Sequence, residues 1–322
     1  MDDRILRHLI TGASGFVGKP LCAELLRQGH EVRVAIRSTN DLIDDYERAI
    51  VGSIDGGTDW TVALRGVQMV IHLAARVHVM NDTAIDALAE CRKVNVEGTL
   101  NLARQAFKAG VQRFIFISSI KVNGEGTLLG QPFTAEDEPS PVDPYGISKR
   151  EAEDALRQLA VETGKEIVII RPPLIYGPGV KANFQSMMRW LDKGIPLPLG
   201  AIHNKRSFVA LDNLIDLIMT CIAHPGAANQ TFLAGDGEDL STTELLQRMA
   251  AALGKKTWLL PVPSFLLEWG AKLLGKQAIA QRLCGSLQVD ISKARDLLAW
   301  KPPVKIDVAL KQTAHYYIKF DK

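Results

Sequence analysis

Short apolar runs alternate with longer amphipathic stretches through the first half of the 322-residue chain, and this alternation constrains the fold more than any other feature. The apolar runs that we interpret as strands lie at residues 8–11, 31–37, 49–51, 68–75, 113–119 and 166–172. Nearly continuous runs of Val, Ile, Leu and Phe are typical of strands that are buried on both faces. Their alternation with helices predicts a parallel sheet covered by helices on both sides. The expected fold class is therefore α/β, with a doubly wound, Rossmann-type sheet.

The pattern changes after Arg171, where prolines become frequent and the alternation fades. We therefore expect a first domain over residues 1–171 and a smaller C-terminal region over residues 172–322, a division that suits a chain of this length. Residues 230–236 are predicted to return to the first sheet as a strand.

Charge and cysteine content exclude several classes of function. The 38 basic and 36 acidic side chains give a net charge of +2 without a basic tract, so a nucleic-acid partner is not expected. The four cysteines are far apart and form no CxxC pair, which argues against a metal site and favours reduced, buried thiols in a cytoplasmic protein. They are Cys22, Cys91, Cys221 and Cys284. His72 lies inside an apolar run, and we interpret it as a hydrogen-bonded core residue.

No apolar run reaches the roughly 18 residues that a membrane span requires, and the acidic N-terminal stretch does not resemble a signal peptide. The most apolar stretch, residues 258–275, is interrupted by two prolines, Glu268 and Lys272. It could lie on a membrane surface. A helix of the C-terminal region that packs its apolar side inward is the favoured interpretation.

The glycine-rich stretch "TGASGFVG" follows the first apolar run and precedes a helical pattern. Gly12 allows a tight turn, Gly15 allows backbone amides to approach a pyrophosphate, and Gly18 allows the helix to pack close to the strand. The N-terminus of that helix adds unpaired N–H donors. The stretch therefore predicts a dinucleotide site that is contacted by Gly12, Ser14, Gly15, Phe16, Val17 and Gly18.

The end of the second strand indicates which dinucleotide is bound. An acid at this position binds the ribose hydroxyls of NAD, whereas a basic residue accommodates the 2′-phosphate of NADP. The sequence "VAIRS" places Arg37 and Ser38 there. NADP is therefore favoured, and NAD remains the alternative.

The stretch "PYGISK" places Tyr145 and Lys149 four residues apart, on one face of a helix that Pro144 can begin. A phenol with a pKa near 10 is a poor base at neutral pH, but a neighbouring ammonium lowers that pKa. The pair is therefore predicted to exchange a proton with a hydroxyl or carbonyl group. Ser118 and Ser119 end the preceding strand, and Ser119 is the one we expect to orient that oxygen.

Together, "TGASGFVG", "HLAA", "ISSIKVNG" and "PYGISK" resemble the extended short-chain dehydrogenase/reductase family. The likeness is to nucleotide-sugar epimerases and 4-keto-reductases related to UDP-glucose 4-epimerase, and it covers nearly the whole chain. It implies an NAD(P)-binding domain over residues 1–171, a nucleotide-sugar region over residues 172–322, and the catalytic residues Ser119, Tyr145 and Lys149. It also implies further cofactor contacts from Leu73, Ala74, Ala75, Asn95, Tyr145, Lys149 and Pro172.

The second half of the chain carries the same resemblance in "RPPLIYGPGVKANF", "KRSFVALDNLIDLI" and "VDISKARDLLAWKPPV". It implies that Asn183 contacts the UDP portion of the substrate and that Arg206 meets a substrate phosphate. Arg282 is the candidate for a second phosphate-binding arginine. The resemblance also implies a homodimer that packs helices near residues 87–109 and 145–163.

The resemblance leaves the reaction open. Arg37 favours a 4-keto-reductase that uses NADPH. The stretch "SSIKVNGE" resembles bacterial reductases of a UDP-4-keto-6-deoxy-N-acetylhexosamine, so the resemblance implies a UDP-N-acetylhexosamine type of sugar in surface-polysaccharide synthesis. The alternative is a UDP-sugar 4-epimerase that acts on UDP-glucose or UDP-GlcNAc with NAD. A dehydratase is disfavoured because "SSIK" lacks the expected threonine and acidic pair. A non-catalytic dinucleotide sensor is disfavoured because both Tyr145 and Lys149 are present. The stretch "VNG" stands where epimerases commonly have "VYG".

Overall fold

The computed structural model of the protein describes residues 6–38, 46–77 and 86–321. In these ranges the strands are β1 (Arg7–Thr11), β2 (Glu31–Ile36), β3 (Glu47–Ile50), β4 (Met69–His72), β5 (Arg113–Ile117), β6 (Glu166–Arg171), β7 (Leu174–Tyr176), β8 (Arg206–Ala210), β9 (Thr231–Leu233) and β10 (Asp239–Leu240). The α-helices are α1 (Gly18–Arg27), α2 (Ala87–Arg92), α3 (Thr99–Lys108), α4 (Pro144–Thr163), α5 (Ala182–Asp192), α6 (Leu211–Ala223), α7 (Thr242–Ala252), α8 (Ser264–Leu273), α9 (Gln277–Cys284), α10 (Ser292–Leu298) and α11 (Ile306–Tyr316).

Seven strands form one parallel sheet in the order β3-β2-β1-β4-β5-β6-β9. This confirms the doubly wound α/β fold, and β9 is the returning strand that was expected near residues 230–236. The strand order reverses between β1 and β4. In sheets of this kind a ligand binds in the crevice at the carboxyl ends of the strands beside that reversal.

Both faces of the parallel sheet are buried, because successive side chains of a strand point to opposite faces. Leu9 and Phe114 belong to the core that also contains Leu102 of α3. Ile10 and Ile115 belong to the core on the other face, which also contains side chains from α1 and α6. The nearly continuous apolar runs of the sequence are explained by these two cores.

The C-terminal region contains a second, three-stranded sheet in the order β10-β8-β7. Its core includes Tyr176, Phe184, Phe208 and Leu246, with contributions from α5, α7 and α11. Phe16, in the glycine-rich loop, packs against both this core and a core of the large sheet. The loop is thereby fixed between the two sheets.

Two details differ from the sequence-based expectations. The predicted helix over residues 87–110 is α2 and α3 joined by a π-helical segment, Lys93–Gly98. Residues 258–275 do contain a helix, α8, but the expectation that its apolar side packs inward is wrong for every residue of the helix except Leu267. None of its residues is fully buried, and Phe265 and Trp269 are each 64% exposed.

The remaining structural predictions concern the membrane and the cysteines. Within residues 6–38, 46–77 and 86–321, no helix is long and apolar enough to cross a membrane. All four cysteines are free thiols, but Cys284 is half-buried rather than buried as expected.

Candidate active site

The glycine-rich loop connects β1 to α1 at the reversal of the strand order. A Cβ added to Gly12, whose φ is +71°, would lie 2.9 Å from the backbone nitrogen of Ala74, and one added to Gly18 would lie 2.2 Å from the Gly12 carbonyl oxygen. These glycines are therefore required by the turn itself. Ser14 and Gly15 are exposed above it, so the loop presents an open backbone surface in front of α1. This surface fits the diphosphate of a dinucleotide.

The segment after β4, which holds the predicted cofactor contacts Leu73, Ala74 and Ala75, is half-buried beside this loop. The Ala74 amide donates to Thr11 Oγ1 over 3.2 Å, and Thr11 Oγ1 is also hydrogen-bonded to His72 Nδ1 at 2.7 Å. His72 Nε2 lies 2.9 Å from Thr99 Oγ1, which confirms His72 as a hydrogen-bonded core residue. Burial, and then the charge of Lys149, lowers the pKa of His72 to about 3.

Arg37 and Ser38 directly follow β2 and are both exposed. β2 pairs with β1 in parallel, so both strands end at the same edge of the sheet. The two residues therefore lie on the side of the glycine-rich loop where the adenosine ribose of a dinucleotide binds in this fold.

The two serines after β5 have different surroundings. Ser118 is buried, and its hydroxyl donates a 2.5 Å hydrogen bond to Glu153 Oε1. Ser119 is half-buried, and its Oγ accepts from the Lys121 amide over 3.3 Å at the start of a 3₁₀ turn. Ser119 is thus the serine whose hydroxyl proton remains available to a substrate.

Tyr145 and Lys149 lie in the first turns of α4, and Asp143 caps this helix by accepting a hydrogen bond from the Gly146 amide at 2.7 Å. A Cβ on Gly146 would lie 2.9 Å from the Lys121 carbonyl oxygen, so the glycine allows α4 to approach the 3₁₀ turn after Ser119. This approach brings the helix that carries Tyr145 and Lys149 close to the strand end that carries the serine.

Lys149 is buried and held by the end of β5. Its Nζ donates to the Ile117 carbonyl at 2.8 Å and lies 4.2 Å from the centroid of the Phe116 ring. The centroid of the Tyr145 ring is 5.9 Å from the same nitrogen. Burial lowers the pKa of Lys149 to about 7, although the Glu153 carboxylate partly opposes this shift.

The expected acidification of the phenol by the ammonium is not produced by the protein's own residues. The pKa of Tyr145 is raised, first by burial and then by Asp143 and Cys91. Desolvation disfavours the phenolate more strongly than a lysine at this distance favours it. The protein's own groups therefore keep the Tyr145 hydroxyl protonated at neutral pH.

A buried ion pair that sequence reasoning missed supports this site from behind. The Arg171 guanidinium, at the end of β6, donates to Glu153 over 2.9 Å and 2.6 Å, and it also donates to Asn123 Oδ1 at 2.9 Å. Asn123 is the residue of "VNG" that departs from the common "VYG". The sequence carried a signal for Glu153 alone, which follows Lys149 by four residues on the same helix face, and none for its pairing with Arg171.

Asn95, in the π-helical segment, connects two parts of the site. Its amide donates to the Arg76 carbonyl and to Ser148 Oγ, each at 2.9 Å, and its Oδ1 accepts from the Arg76 amide. It therefore joins the segment after β4 to α4. Pro172 is buried, and its carbonyl accepts from the Ile120 amide beside Ser119.

The predicted substrate residues lie in the C-terminal region. Arg206 begins β8, and its Nη1 donates to the Gly285 carbonyl at 3.1 Å. Burial lowers the pKa of Arg206, an effect that Glu125 opposes and that the neighbouring Arg282 increases. The structure thus brings Arg206 near Arg282, which is exposed on α9. Asn183 is exposed in the first turn of α5.

Comparison with known proteins agrees with this geometry. Residues 8–235 match the NAD dependent epimerase/dehydratase family. The chain is 52% identical over 313 residues to a UDP-glucose 4-epimerase of Vibrio cholerae, which covers 97% of this chain and 95% of that protein.

Two solved structures share the fold along almost the entire chain. The UDP-glucose 4-epimerase of Thermotoga maritima, with UDP-glucose, has a TM-score of 0.78 and 24% identity, and the match covers 98% of this chain and 100% of that one. A dTDP-glucose 4,6-dehydratase of Streptomyces venezuelae, with NAD bound, has a TM-score of 0.76 and 26% identity, covering 98% of both chains. The protein therefore belongs to the NAD dependent epimerase/dehydratase family and is an enzyme of the extended short-chain dehydrogenase type.

Proposed function

We propose that the protein is a UDP-sugar 4-epimerase that interconverts UDP-hexoses differing in configuration at C4. The observation that carries this proposal is the 52% identity to the Vibrio cholerae UDP-glucose 4-epimerase over 97% of the chain. The placement of Ser119, Tyr145 and Lys149 at the ends of β5 and α4 supports it. The 4-keto-reductase that the sequence favoured has less support than the epimerase that it left as the alternative.

In this proposal the chain's own residues bind the sugar and move one proton. Tyr145 Oη removes the proton of the sugar 4-hydroxyl and later returns it, and Ser119 Oγ hydrogen-bonds to the same oxygen. Bound NAD supplies the hydride acceptor and donor, and the positive charge of its oxidised ring favours the Tyr145 phenolate. The Ile117 carbonyl holds Lys149 Nζ 5.9 Å from the centroid of the Tyr145 ring, and the protonated form of Lys149 favours the phenolate.

The phosphate-binding role of the arginines is also part of the proposal. The charge of Arg282 is close enough to lower the pKa of Arg206, and two neighbouring guanidinium groups suit the diphosphate of a UDP-sugar. A bound diphosphate would relieve the repulsion between them. Asn183 is assigned to the UDP portion by resemblance alone.

The test uses the purified protein with UDP-glucose or UDP-galactose and no added reductant. We expect both starting sugars to reach the same mixture, without net change in nicotinamide absorbance. Tyr145→Phe should reduce the rate by about 10²–10⁴-fold, the usual contribution of a general acid–base group. Tyr316→Phe, at a half-buried tyrosine of α11, is the matched control and should retain the rate.

A second candidate, the 4-keto-reductase, is favoured by one observation, which is the position of Arg37 directly after β2. It predicts stoichiometric oxidation of NADPH by a UDP-4-keto sugar. That result, together with no interconversion of UDP-glucose and UDP-galactose or of their N-acetyl forms, would exclude the epimerase in favour of the reductase.

A further inference from the structure

An apolar face is exposed on α8, α9 and the segment before them. Its eight members, which we call the α8 face, are between 47% and 73% exposed: Trp258, Leu260, Phe265, Leu266, Trp269, Leu273, Leu274 and Ile279. Single exposed apolar residues are ordinary on a protein surface, but a concentration of this kind on two short helices usually marks a binding surface.

The outward orientation of this face is fixed by the packing around it. Phe265, Trp269 and Leu273 follow one another at intervals of four residues, so they form one stripe along α8. Leu267, on the opposite side of the helix, is partly buried against the core of the C-terminal region. Before the helix, the backbone of residues 258–260 is hydrogen-bonded to residues 197–200. The helix therefore cannot bury the stripe by a simple rotation.

Positive charge surrounds the α8 face. Residues 255–282 contain a single acidic side chain, Glu268, and five basic ones, Lys255, Lys256, Lys272, Lys276 and Arg282. All six side chains are exposed, and Lys255 is paired with Asp192 at 3.2 Å. This segment has a net charge of +4, whereas the whole chain has a net charge of +2, so the rest of the molecule is slightly acidic.

We propose that the α8 face binds the surface of an anionic lipid bilayer. Aromatic and leucine side chains on one side of a helix, bordered by lysines, are typical of helices that lie in the interface of a membrane. The lysines would lie at the level of the anionic headgroups, where each adds to the attraction. With ten residues, α8 is far too short to span a bilayer, so the binding is peripheral.

Charge also distinguishes the bilayer from a second copy of the chain. Pairing two α8 faces would bring two segments of net charge +4 together, and like charges facing each other across an interface oppose association. An anionic bilayer offers the opposite charge and an apolar layer for Trp258, Phe265 and Trp269. The proposal does not depend on which reaction the active site catalyses.

The test is co-sedimentation of the full chain with phosphatidylcholine vesicles that do or do not contain phosphatidylglycerol. We expect binding to the anionic vesicles, at least about tenfold weaker binding to the neutral ones, and release at high salt because screening weakens the charge attraction. No binding to anionic vesicles at low salt would overturn the proposal.

Two sets of variants separate the apolar and charged contributions. Phe265→Ser with Trp269→Ser should weaken vesicle binding at least about tenfold, because two aromatic side chains no longer leave water. Lys272→Glu with Lys276→Glu should remove the preference for anionic lipid. The control pair, Val62→Ser with Val308→Ser, changes exposed apolar residues elsewhere and should bind as the parent does.

The three double variants should keep the melting temperature and the sugar-converting rate of the parent, since the substituted side chains are exposed. If the Phe265→Ser, Trp269→Ser variant binds anionic vesicles as tightly as the parent does, the α8 face is not the membrane-binding surface. Light scattering provides the remaining decision. If the parent does not bind vesicles but self-associates, and the Phe265→Ser, Trp269→Ser variant does not self-associate, then a second copy of the chain covers the α8 face.

Discussion

Ser118 and Ser119 are adjacent in the chain but make different hydrogen bonds. The Ser118 hydroxyl is buried and donates to the Glu153 carboxylate at 2.5 Å. Ser119 Oγ only accepts a long bond from a backbone amide, so its own proton is free to meet a substrate oxygen. The two residues therefore offer a matched pair in which catalysis and stability can be separated.

We expect Ser119→Ala to lower kcat by about 10²-fold, the size of effect seen when one donor to a reacting oxygen is removed. Its free energy of unfolding should stay close to that of the parent. Ser118→Ala should instead lower the free energy of unfolding by about 1.5–3 kcal/mol, because a buried carboxylate loses a charge-assisted hydrogen bond. Urea unfolding and steady-state kinetics on both variants measure the two effects. A larger loss of kcat in Ser118→Ala than in Ser119→Ala would contradict the assignment.

Arg37 allows a prediction about the choice of dinucleotide. An exposed guanidinium after β2 favours a 2′-phosphate, whereas the family match and a related structure point to NAD. Arg37→Asp should therefore weaken NADP(H) binding at least about tenfold and leave NAD(H) binding equal or tighter, since a carboxylate repels the phosphate and can accept from the ribose hydroxyls. Fluorescence titration with NADH and NADPH measures this ratio. An unchanged ratio would mean that Arg37 does not contact the 2′ position.

At the scale of the secondary-structure elements, Glu153 joins three parts of the site. This residue of α4 is completely buried and bonded to Ser118 after β5, to Arg171 of β6 and to Arg157 one turn along the helix. The helix that carries Tyr145 and Lys149 is thereby fixed against the two strands whose ends form the site. Most of this network is removed from water, so each charge depends on its partners.

Removing one charged partner of this network should lower the free energy of unfolding. Arg171→Met should lower the free energy of unfolding by about 3–5 kcal/mol, because the Glu153 carboxylate is left buried with less compensation. Adding Glu153→Leu should recover part of this loss, since both charges are then absent. Glu31→Gln, which weakens the partly exposed pair of Arg7 and Glu31, is the control and should cost about 0–1 kcal/mol. If the double variant were destabilised by the sum of the two single variants, the coupling would be refuted.

The sequence allowed the glycine-rich loop, the Tyr145–Lys149 spacing and the parallel, doubly wound character of the large sheet to be predicted, because each follows from local geometry or from periodicity. Arg171 and Glu153 could not be paired in advance, since their contact depends on how α4 lies across the sheet. The prediction that the pKa of Tyr145 is lowered was wrong for a similar reason, because the desolvation that raises this pKa depends on tertiary packing. The division at residue 171 and the homodimer remain predictions.

The α8 helix shows a further limit of pattern analysis at this scale. Its apolar spacing correctly indicated a helix, but a stripe of apolar residues does not specify what covers it. Within residues 258–275, the favoured expectation, burial against the protein's own core, holds only for Leu259 and Leu267. The less favoured one, contact with a membrane surface, is the one that the exposed side chains now support.

For the molecule as a whole, two buried histidines determine part of the response to acid. His8 of β1 and His72 of β4 are both inaccessible to solvent, and burial lowers the pKa of each to about 3. His72 has a threonine hydroxyl at each ring nitrogen. His8 has no hydrogen-bond partner for either nitrogen in the described part of the chain, and its ring is in edge contact with His30, which lowers the pKa further.

This arrangement predicts acid sensitivity that one substitution should reduce. Between pH 6.5 and about 3 the unfolded chain binds a proton at His8 that the folded protein does not, so stability falls as the pH falls through this window. Within this window, each such histidine lowers the free energy of unfolding by about 1.4 kcal/mol for every unit by which the pH falls. His8→Leu should therefore reduce the loss of unfolding free energy between pH 7 and pH 4.5 by about 2–3 kcal/mol. It should cost little at pH 7, because it also removes two unsatisfied ring nitrogens. Urea unfolding of parent and variant at the two pH values measures the difference, and parallel pH dependence would show that His8 is protonated without unfolding.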